Sequence, residues 1–337
     1  MSSDPQPEVS VLLPVRNGQT TLPAALASIR AQTFAPFECI VVDDGSTDTS
    51  ARLARDVAFE DPRFRVVSSP ARGIVPALLL AAELAQAPLF ARHDADDTSR
   101  PERFALQVAY LQEHADIDLV STQVTHVGTP LTDGGRRYAD WVRSCRTAEE
   151  IAHGLWTESP LPHPTVVFRR ATYERVGGYR DVGWPEDYDL WLRMLRHGAR
   201  FAKLDEELYS WTDLPDRASR TLAQYAPEQF LACRAHHLAA FLGRRPTIVW
   251  GAGRDGRRFS RSFLAAGGRI ERFFDIDPRK IGRTARGRPI EEAGGGLLRR
   301  EDEVVLVAVG ARGARDLIRS ELHAAGCVEG TDFFCVT

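Results

Sequence analysis

The sequence predicts two α/β units in succession, the first a doubly wound sheet and the second a smaller one. Three observations carry this. Apolar β-branched runs alternate with helix-periodic segments over roughly the first 95 residues, two of those runs end in clustered carboxylates, and a new strand, glycine-rich turn and helix begin near Thr247. A length of 337 residues exceeds one ordinary domain and buries an ample core. Lys+Arg 43 against Asp+Glu 46 leaves the charge near neutral, so there is no electrostatic case for a nucleic-acid partner. Cys39, Cys145, Cys233, Cys327 and Cys335 are scattered without a CxxC pair, which indicates neither a zinc site nor a disulfide framework and fits a reducing cytoplasm. The N-terminus, Met1-Ser2-Ser3-Asp4-Pro5, carries no basic or apolar leader, and no window approaches the ~18 uninterrupted apolar residues of a membrane span. Membrane contact, if present, is peripheral, for instance at the inner face of the membrane.

The elements follow in order. Val9 to Val15 is a β-branched strand closed by Arg16-Asn17-Gly18, and Leu22, Ala25, Leu26 and Ile29 mark the helix after it. Cys39-Ile40-Val41-Val42 repeats the pattern and ends in Asp43-Asp44-Gly45-Ser46-Thr47-Asp48, where Ser46 or Thr47 is expected to cap a helix from about Thr49. Arg65 to Ser68 gives a third strand, Ile74 to Ala85 a third helix, and Leu89 to Arg92 a fourth strand that runs into Asp94-Ala95-Asp96-Asp97. Such alternation implies a parallel doubly wound sheet whose strand ends gather on one edge, so Asp43-Asp44 and Asp94-Ala95-Asp96 are expected to share it.

Carboxylates this close repel unless a cation sits among them, and an oxygen-rich site suits Mg²⁺ or Mn²⁺. An Asp-x-Asp element at a strand's carboxyl end suggests a metal-diphosphate site. The plainer alternative is a polar loop after a buried strand. Asp44 reads equally well as the start of an Asx-turn before Gly45, and Arg72 as a solvated loop residue.

Leu13-Pro14-Val15-Arg16-Asn17, Val42-Asp43-Asp44-Gly45-Ser46-Thr47-Asp48, Asp94-Ala95-Asp96-Asp97, Arg100-Pro101-Glu102-Arg103, His163-Pro164-Thr165 and Glu186-Asp187-Tyr188-Asp189-Leu190-Trp191 occur in the order shown by family 2 glycosyltransferases. The chain resembles that family over about residues 8 to 212. The resemblance implies a GT-A type doubly wound mixed sheet and a nucleotide-sugar donor. It implies that Pro14 and Asn17 line the nucleotide pocket, that Asp43 faces the base, usually uracil, with Asp44 beside it, and that Arg72 lies near the nucleotide or donor sugar. Asp94 and Asp96 match the DxD motif, with Asp96 the first choice as direct ligand of Mn²⁺ or Mg²⁺. The base falls in the Glu186-Asp187 element, at Asp187.

Thr98-Ser99-Arg100-Pro101 reads as a helix start, with Phe104, Val108 and Leu111 on one face to about His114. Leu119 to Val127 reads as a strand, and Gly128 to Trp141, rich in Gly, Asp and Arg without clear period, as a mobile loop. His163 precedes an apolar strand, where it approaches the metal, diphosphate or acceptor, or is simply structural. Pro185 suits a first helical position, with Tyr188, Trp191, Leu192 and Leu195 as the apolar stripe and Gly198 as the stop. Glu186 and Asp187 then occupy the first turn, where spacing alone says no more than that they complement the helix dipole. Inverting transfer needs such a carboxylate, because the acceptor hydroxyl loses its proton as it attacks. The Gln-x-x-Arg-Trp element of processive members is missing after Trp191, so a non-processive, hexosyltransferase-like enzyme is expected. Where relatives often place a histidine after the Leu-Tyr strand, this chain has Tyr209-Ser210-Trp211-Thr212-Asp213 and then Arg217 and Arg220, arginines that bind diphosphate or line a solvated face.

The first unit is thus read as residues 1–218, a helical linker as 219–245 within a long helix from Ser219 to Leu242, and a small Rossmann-like unit as 246–337. In the last, Thr247 to Trp250 leads into Gly251-Ala252-Gly253-Arg254-Asp255-Gly256, a helix, and a strand ending at Asp275, the spacing of a ribose-contacting acid. The motif admits a nucleotide or dinucleotide on Gly251, Gly253, Gly256 and Asp275. The preferred reading is a module whose glycines serve packing and whose pocket transfer does not require. Glu303 to Gly310 and Phe333 to Val336 supply further strands, and Asp277 to Lys280 a turn.

The leading expectation is a cytoplasmic, metal-dependent inverting glycosyltransferase that moves sugar from a nucleotide-diphosphate sugar, a UDP-sugar first, to a saccharide or lipid-linked acceptor in cell-envelope polysaccharide or glycoconjugate synthesis. A sugar nucleotidyltransferase is the competing enzyme class, but it wants a glycine-rich, basic loop where Arg16-Asn17-Gly18 stands. A third class is an inactive nucleotide-binding regulator, against which intact Asp96 and Asp187 argue.

Overall fold

Val9–Val15 (β1) is the strand around which the first sheet is laid: it is buried almost throughout and pairs in parallel on both sides. After the helix Leu22–Arg30, Phe37–Asp43 (β2) lies along one side of it, and beyond Ser50–Glu60, Phe64–Ser68 (β3) extends that side. Ile74–Leu84 crosses back and Leu89–Arg92 (β4) pairs with β1 on the other side. The computed structural model describes residues 6–214, 218–293, 300 and 302–337, and Arg217 lies outside them.

Past β4 the sheet turns mixed. Thr98–Ser99 (β5), Leu119–Gly128 (β6), Val167–Arg169 (β7) and Phe201–Asp213 (β8) complete eight strands in the order β3-β2-β1-β4-β7-β6-β8-β5. β7 runs antiparallel to both β4 and β6, β8 is parallel to β6, and β5 is antiparallel to β8. This is the expected doubly wound mixed sheet. Strand order reverses between β1 and β4, the switch point at which such sheets open a crevice at their carboxyl edge. Register explains what gathers there. Val15 is opposite Asp43, but β4 ends at Arg92 opposite Leu12, so the chain from His93 to Asp97 continues along that edge.

Three expectations about elements are corrected. Thr98-Ser99 does not open a helix: it pairs with Ser210 and Tyr209, and the helix spans Arg103–Glu113. The stretch from Gly128 to Trp141 is not a loop throughout, because Asp133–Ser144 is helical and Thr132 Oγ1 caps it by accepting from Gly135 N at 3.1 Å. Gly134 and Gly135 hid that helix from a periodicity argument. Ser219 to Leu242 is broken into Ala218–Thr221, a 3₁₀ turn Ala223–Tyr225, and Pro227–Leu242. The proline cannot donate to a continuing helix, and it pushes Ala226 to an extended ψ of 145°.

Contacts divide the chain into two compact units. One runs to Ile151 and includes Pro160–Val182 and Asp189–Leu222; the other holds Ala152–Ser159, Gly183–Tyr188 and Ala223–Thr337. In the second, Thr247–Trp250 (β9), Ile270–Asp275 (β10), Thr284–Ala285 (β11), Arg288–Glu292 (β12), Val304–Val307 (β13) and Phe333–Cys335 (β14) form a sheet ordered β11-β12-β10-β9-β13-β14. All pairs but β11·β12 are parallel, and the helices Arg254–Ala265 and Ala314–Ala324 supply crossovers, so the unit is Rossmann-like. Among the described residues no helix is long and apolar enough to cross a membrane.

The turn after β9 approaches its helix closely, and two glycines allow it. A Cβ on Gly256 would lie 1.7 Å from the Gly251 carbonyl oxygen, and one on Gly251, at φ +115°, 2.6 Å from that of Ala308. Gly256→Ala is therefore expected to destabilise the second unit by about 3 kcal/mol, the upper end of ordinary overpacking. Thermal unfolding would show an earlier transition, and an unchanged midpoint would mean that the turn yields freely.

Candidate active site

The turn after β1 is built on the turn after β2. Asn17 sits at φ +53°, a left-handed conformation that asparagine tolerates better than most residues. Its Oδ1 accepts from Thr47 N at 2.8 Å, and its own N–H donates to Ser46 Oγ at 3.0 Å. The expected capping role of Ser46 or Thr47 is thereby corrected. Asp48 holds the helix start instead, its Oδ1 accepting from Ser50 N at 2.9 Å and Ser50 Oγ at 2.6 Å. Asp43 is buried and its Oδ1 accepts from Ser46 N at 3.4 Å. Asp44, also buried, spans to the next turn, its two oxygens accepting from Arg72 N at 2.9 Å and Gly73 N at 2.8 Å. The Arg72 side chain is exposed.

At the end of β4 the charges are layered. Arg92, 1% exposed, donates to Asp94 Oδ1 at 2.6 Å and to the His93 carbonyl. His93 is fully buried and its Nδ1 meets Asp94 O at 2.7 Å. Burial, reinforced by the positive charge of Arg103, lowers its pKa to about 3, so the ring is neutral. Beneath lies Arg103, also fully buried, whose guanidinium donates to Gln107 Oε1, Ser99 Oγ and Arg92 O, each at 3.0 Å. Burial pulls its pKa down to about 10, which leaves it charged. Asp94 N donates to the Tyr209 hydroxyl at 3.1 Å, and Asp97 Oδ1 accepts from Thr212 N at 2.7 Å, so the acidic turn is fastened to β8.

One carboxylate oxygen each from Asp94, Asp96 and Asp97 lies within 4.8 Å of the others. Ligands on opposite sides of Mg²⁺ stand about 4.2 Å apart, so this all-oxygen set fits a small hard cation. Asp97 was outside the expected ligand pair, although its adjacency to Asp96 was the signal. Arg92 was also missed, and its signal was a charge ending the apolar run Leu89-Phe90-Ala91, since a buried arginine needs a partner.

A cavity of about 390 Å³ opens at the switch point, with Pro14, Asn17, Asp44, Arg92, Asp94 and Asp96 among its walls. Asp43 and Arg72 are not among them. His163, in the same unit, is buried against Trp191 with its Nε2 2.8 Å from the Tyr179 hydroxyl, in an aromatic cluster.

Glu186 and Asp187 open the helix Glu186–Arg196 and belong to the second unit. Glu186 is buried, with its oxygens accepting from the Tyr225 hydroxyl at 2.9 and 2.8 Å and from Gln224 Nε2 at 3.2 Å. Burial and the Glu186 charge raise the Tyr225 pKa well above the usual range, which keeps it a donor. Asp187 is half-buried, and its Oδ1 accepts from Tyr188 N at 2.7 Å. Facing the glycine-rich turn from the end of β10, Asp275 accepts from Ala252 N at 2.8 Å, Asp277 N at 2.9 Å and Lys280 Nζ at 3.0 Å. Burial alone would raise its pKa, but these donors hold it below the usual carboxylate range.

The model of the family described as "Glycosyl transferase family 2" matches residues 10–177. EpsE of Bacillus subtilis (strain 168), whose name assigns it provisionally to the glycosyltransferases, is 30% identical over 237 residues, covering 68% of this chain and 82% of EpsE. An Escherichia coli protein named UDP-Gal:alpha-D-GlcNAc-diphosphoundecaprenol beta-1,3-galactosyltransferase is 26% identical over 221 residues, 65% of this chain and 78% of that protein. Among solved structures, S. aureus TarS 1-349 in complex with UDP-GlcNAc shares the fold with a TM-score of 0.54 at 18% identity, over 77% of this chain and 72% of that one.

The Asp44 clamp generates a direct expectation. Asp44→Ala strands two backbone donors and should cost about 1–3 kcal/mol. Hydrogen exchange would report lost protection at the Arg72 and Gly73 amides, and retained protection would show that the clamp does not order this turn.

Proposed function

The chain belongs to glycosyltransferase family 2, and from that premise we propose that it transfers sugar from a UDP-sugar to a hydroxyl acceptor with inversion, in a metal-dependent step. The observation that carries this reading is the cluster of Asp94, Asp96 and Asp97, which fits a divalent cation and whose first two members line the same cavity as Pro14 and Asn17. The E. coli relative's name supports a UDP donor and a lipid-linked saccharide acceptor. The reading accordingly puts the transfer in surface polysaccharide or glycoconjugate assembly, in the cytoplasm at the inner face of the membrane.

In this reading Pro14 and Asn17 receive the nucleotide, with Asp43 and Asp44 shaping the turns around it. A divalent cation, Mn²⁺ or Mg²⁺, held by Asp96 with Asp94, would supply Lewis-acid stabilisation of the departing diphosphate. Arg92 is a fixed positive charge at the same wall, so it offsets charge on Asp94 before donor arrives. Asp187 accepts the acceptor's proton as its oxygen bonds to the anomeric carbon and the bond to diphosphate breaks, a single displacement without a covalent enzyme intermediate. Glu186, tied to Tyr225 and Gln224, positions the turn that carries Asp187. Arg72 is assigned to the nucleotide or donor sugar by family resemblance, while His163, its ring engaged by Tyr179, either approaches the metal, diphosphate or acceptor or is structural.

Two substitutions separate these roles. Asp96→Ala should abolish the Mn²⁺-dependent thermal stabilisation that UDP-sugars give the parent. Asp187→Asn should keep that stabilisation and lose about 10²–10⁴-fold in transfer. Transfer at the parent rate by Asp187→Asn would remove Asp187 from the base role, and metal-independent donor binding in the parent would remove the cation from the mechanism.

A further inference from the structure

Among the described residues, a strand-edge cavity of about 540 Å³ lies in the second unit, against about 390 Å³ for that of the first, and no step of the proposed transfer employs it. It sits where the chain leaves β9, β10 and β13, and the order of that sheet reverses between β9 and β13, so this is a second switch-point crevice. Its walls include Gly253, Ile276, Leu317 and Lys280, and the carboxylates of Asp255, Asp275, Asp277 and Glu321 also border it, so an anion would have to seat on the backbone and lysine side.

The glycines of the turn do not share one explanation. Gly251 and Gly256 are required by packing, since a side chain on either would strike backbone. Gly253 is not: it has an extended backbone at φ −79°, ψ −165°, and a Cβ there would meet nothing nearer than Lys280 Nζ at 3.9 Å. The fold would accept a side chain at this position, and the space that its absence leaves lies in the cavity beside an ammonium group. Gly253 is also the N-cap of the twelve-residue helix Arg254–Ala265, with no side chain to satisfy the first-turn N–H groups. An open approach to backbone, uncapped donors and a lysine together make a place for phosphate.

The rest of the cavity supplies the remainder of a nucleotide. Asp275 uses three of its roughly four acceptor positions on Ala252, Asp277 and Lys280, leaving capacity for one ribose hydroxyl. Ile276 and Leu317, 77% and 74% exposed, present apolar surface at the same cavity, of the kind on which a base packs.

We propose that this cavity is a second nucleotide site, which binds a nucleoside diphosphate moiety with its diphosphate on the turn at Gly253 and Lys280, its ribose at Asp275 and its base on Ile276 and Leu317. A dinucleotide and a nucleotide sugar both carry that moiety.

Calorimetric titration of the full chain with NAD⁺ and with UDP-GlcNAc tests this, done in Asp96→Ala without added metal so that the first unit's site is silent. At least one probe should bind with Kd below about 1 mM, and Gly253→Val and Lys280→Gln should each weaken it about ten-fold or more. Gly253→Val should keep the circular dichroism of its parent with only a small drop in unfolding midpoint, because valine suits that backbone although it is a poorer N-cap than glycine. Binding of NAD⁺ alone identifies a dinucleotide, and of UDP-GlcNAc alone a nucleotide sugar. Failure of both probes to bind, or binding indifferent to both substitutions, would overturn the proposal while leaving the assigned roles of Asp96 and Asp187 untouched.

Discussion

Crowded negative charge at the end of β4 is the constraint on which the first unit depends. Asp94, Asp96 and Asp97 stand close enough to repel strongly, and the fold answers by burying two guanidinium groups beneath them. Neither arginine is an idle charge. Arg92 reaches Asp94 directly, while Arg103 braces the β4 carbonyl, β5 and its own helix at once. Gln107 continues the brace to the carbonyls of Val120 and Thr165 at 2.9 Å. Desolvating such cations is costly, and the cost is offset by what they donate to: Arg92 to Asp94 and the His93 carbonyl, and Arg103 to three separate acceptors. The same polar lattice that makes an acidic turn tolerable thus also joins β4, β6 and β8 into one sheet.

The two units use one architectural idea with different chemistry. Each places a crevice at the point where parallel strand order reverses, and each lets backbone come close there. In the first, Gly45 is needed because a Cβ would fall 2.6 Å from that of Ala71, and the turns after β1, β2 and β3 interlock through Asn17 and Asp44. Carboxylates then face the cavity. In the second, the acid that ends β10 is engaged by Ala252 and Lys280, and apolar side chains and glycine share the wall with Asp255, Asp277 and Glu321. In the reading proposed above, one crevice takes a cation with an anionic leaving group, and the other an anion held by backbone.

Much of this was legible locally. β1 to β4 and their helices follow from alternation and apolar period, and the DxD element from its place at a strand end. What escaped was governed by distant partners. The helix Asp133–Ser144 contains two glycines and one fully buried residue, so its own residues argue against it. Thr98-Ser99 is a strand only because Tyr209 and Ser210 lie opposite. The site residues divide similarly. Pro14, Asn17, Asp44, Asp94 and Asp96 meet at one cavity because parallel register brings strand ends together, whereas Asp43 turns inward on Ser46 and Glu186 is engaged by Tyr225 and Gln224.

By itself, then, the sequence determined the strand and helix order, the family resemblance, and which turns carry acids and glycines, because these depend on residue type and spacing within a few turns of chain. Only the tertiary structure decided that Arg92, His93, Arg103 and Tyr209 lie beneath the acidic turn, and that Gly253 has no packing reason to be glycine. Those facts depend on which atoms distant segments bring within a few ångströms of one another, and no spacing along the chain encodes them.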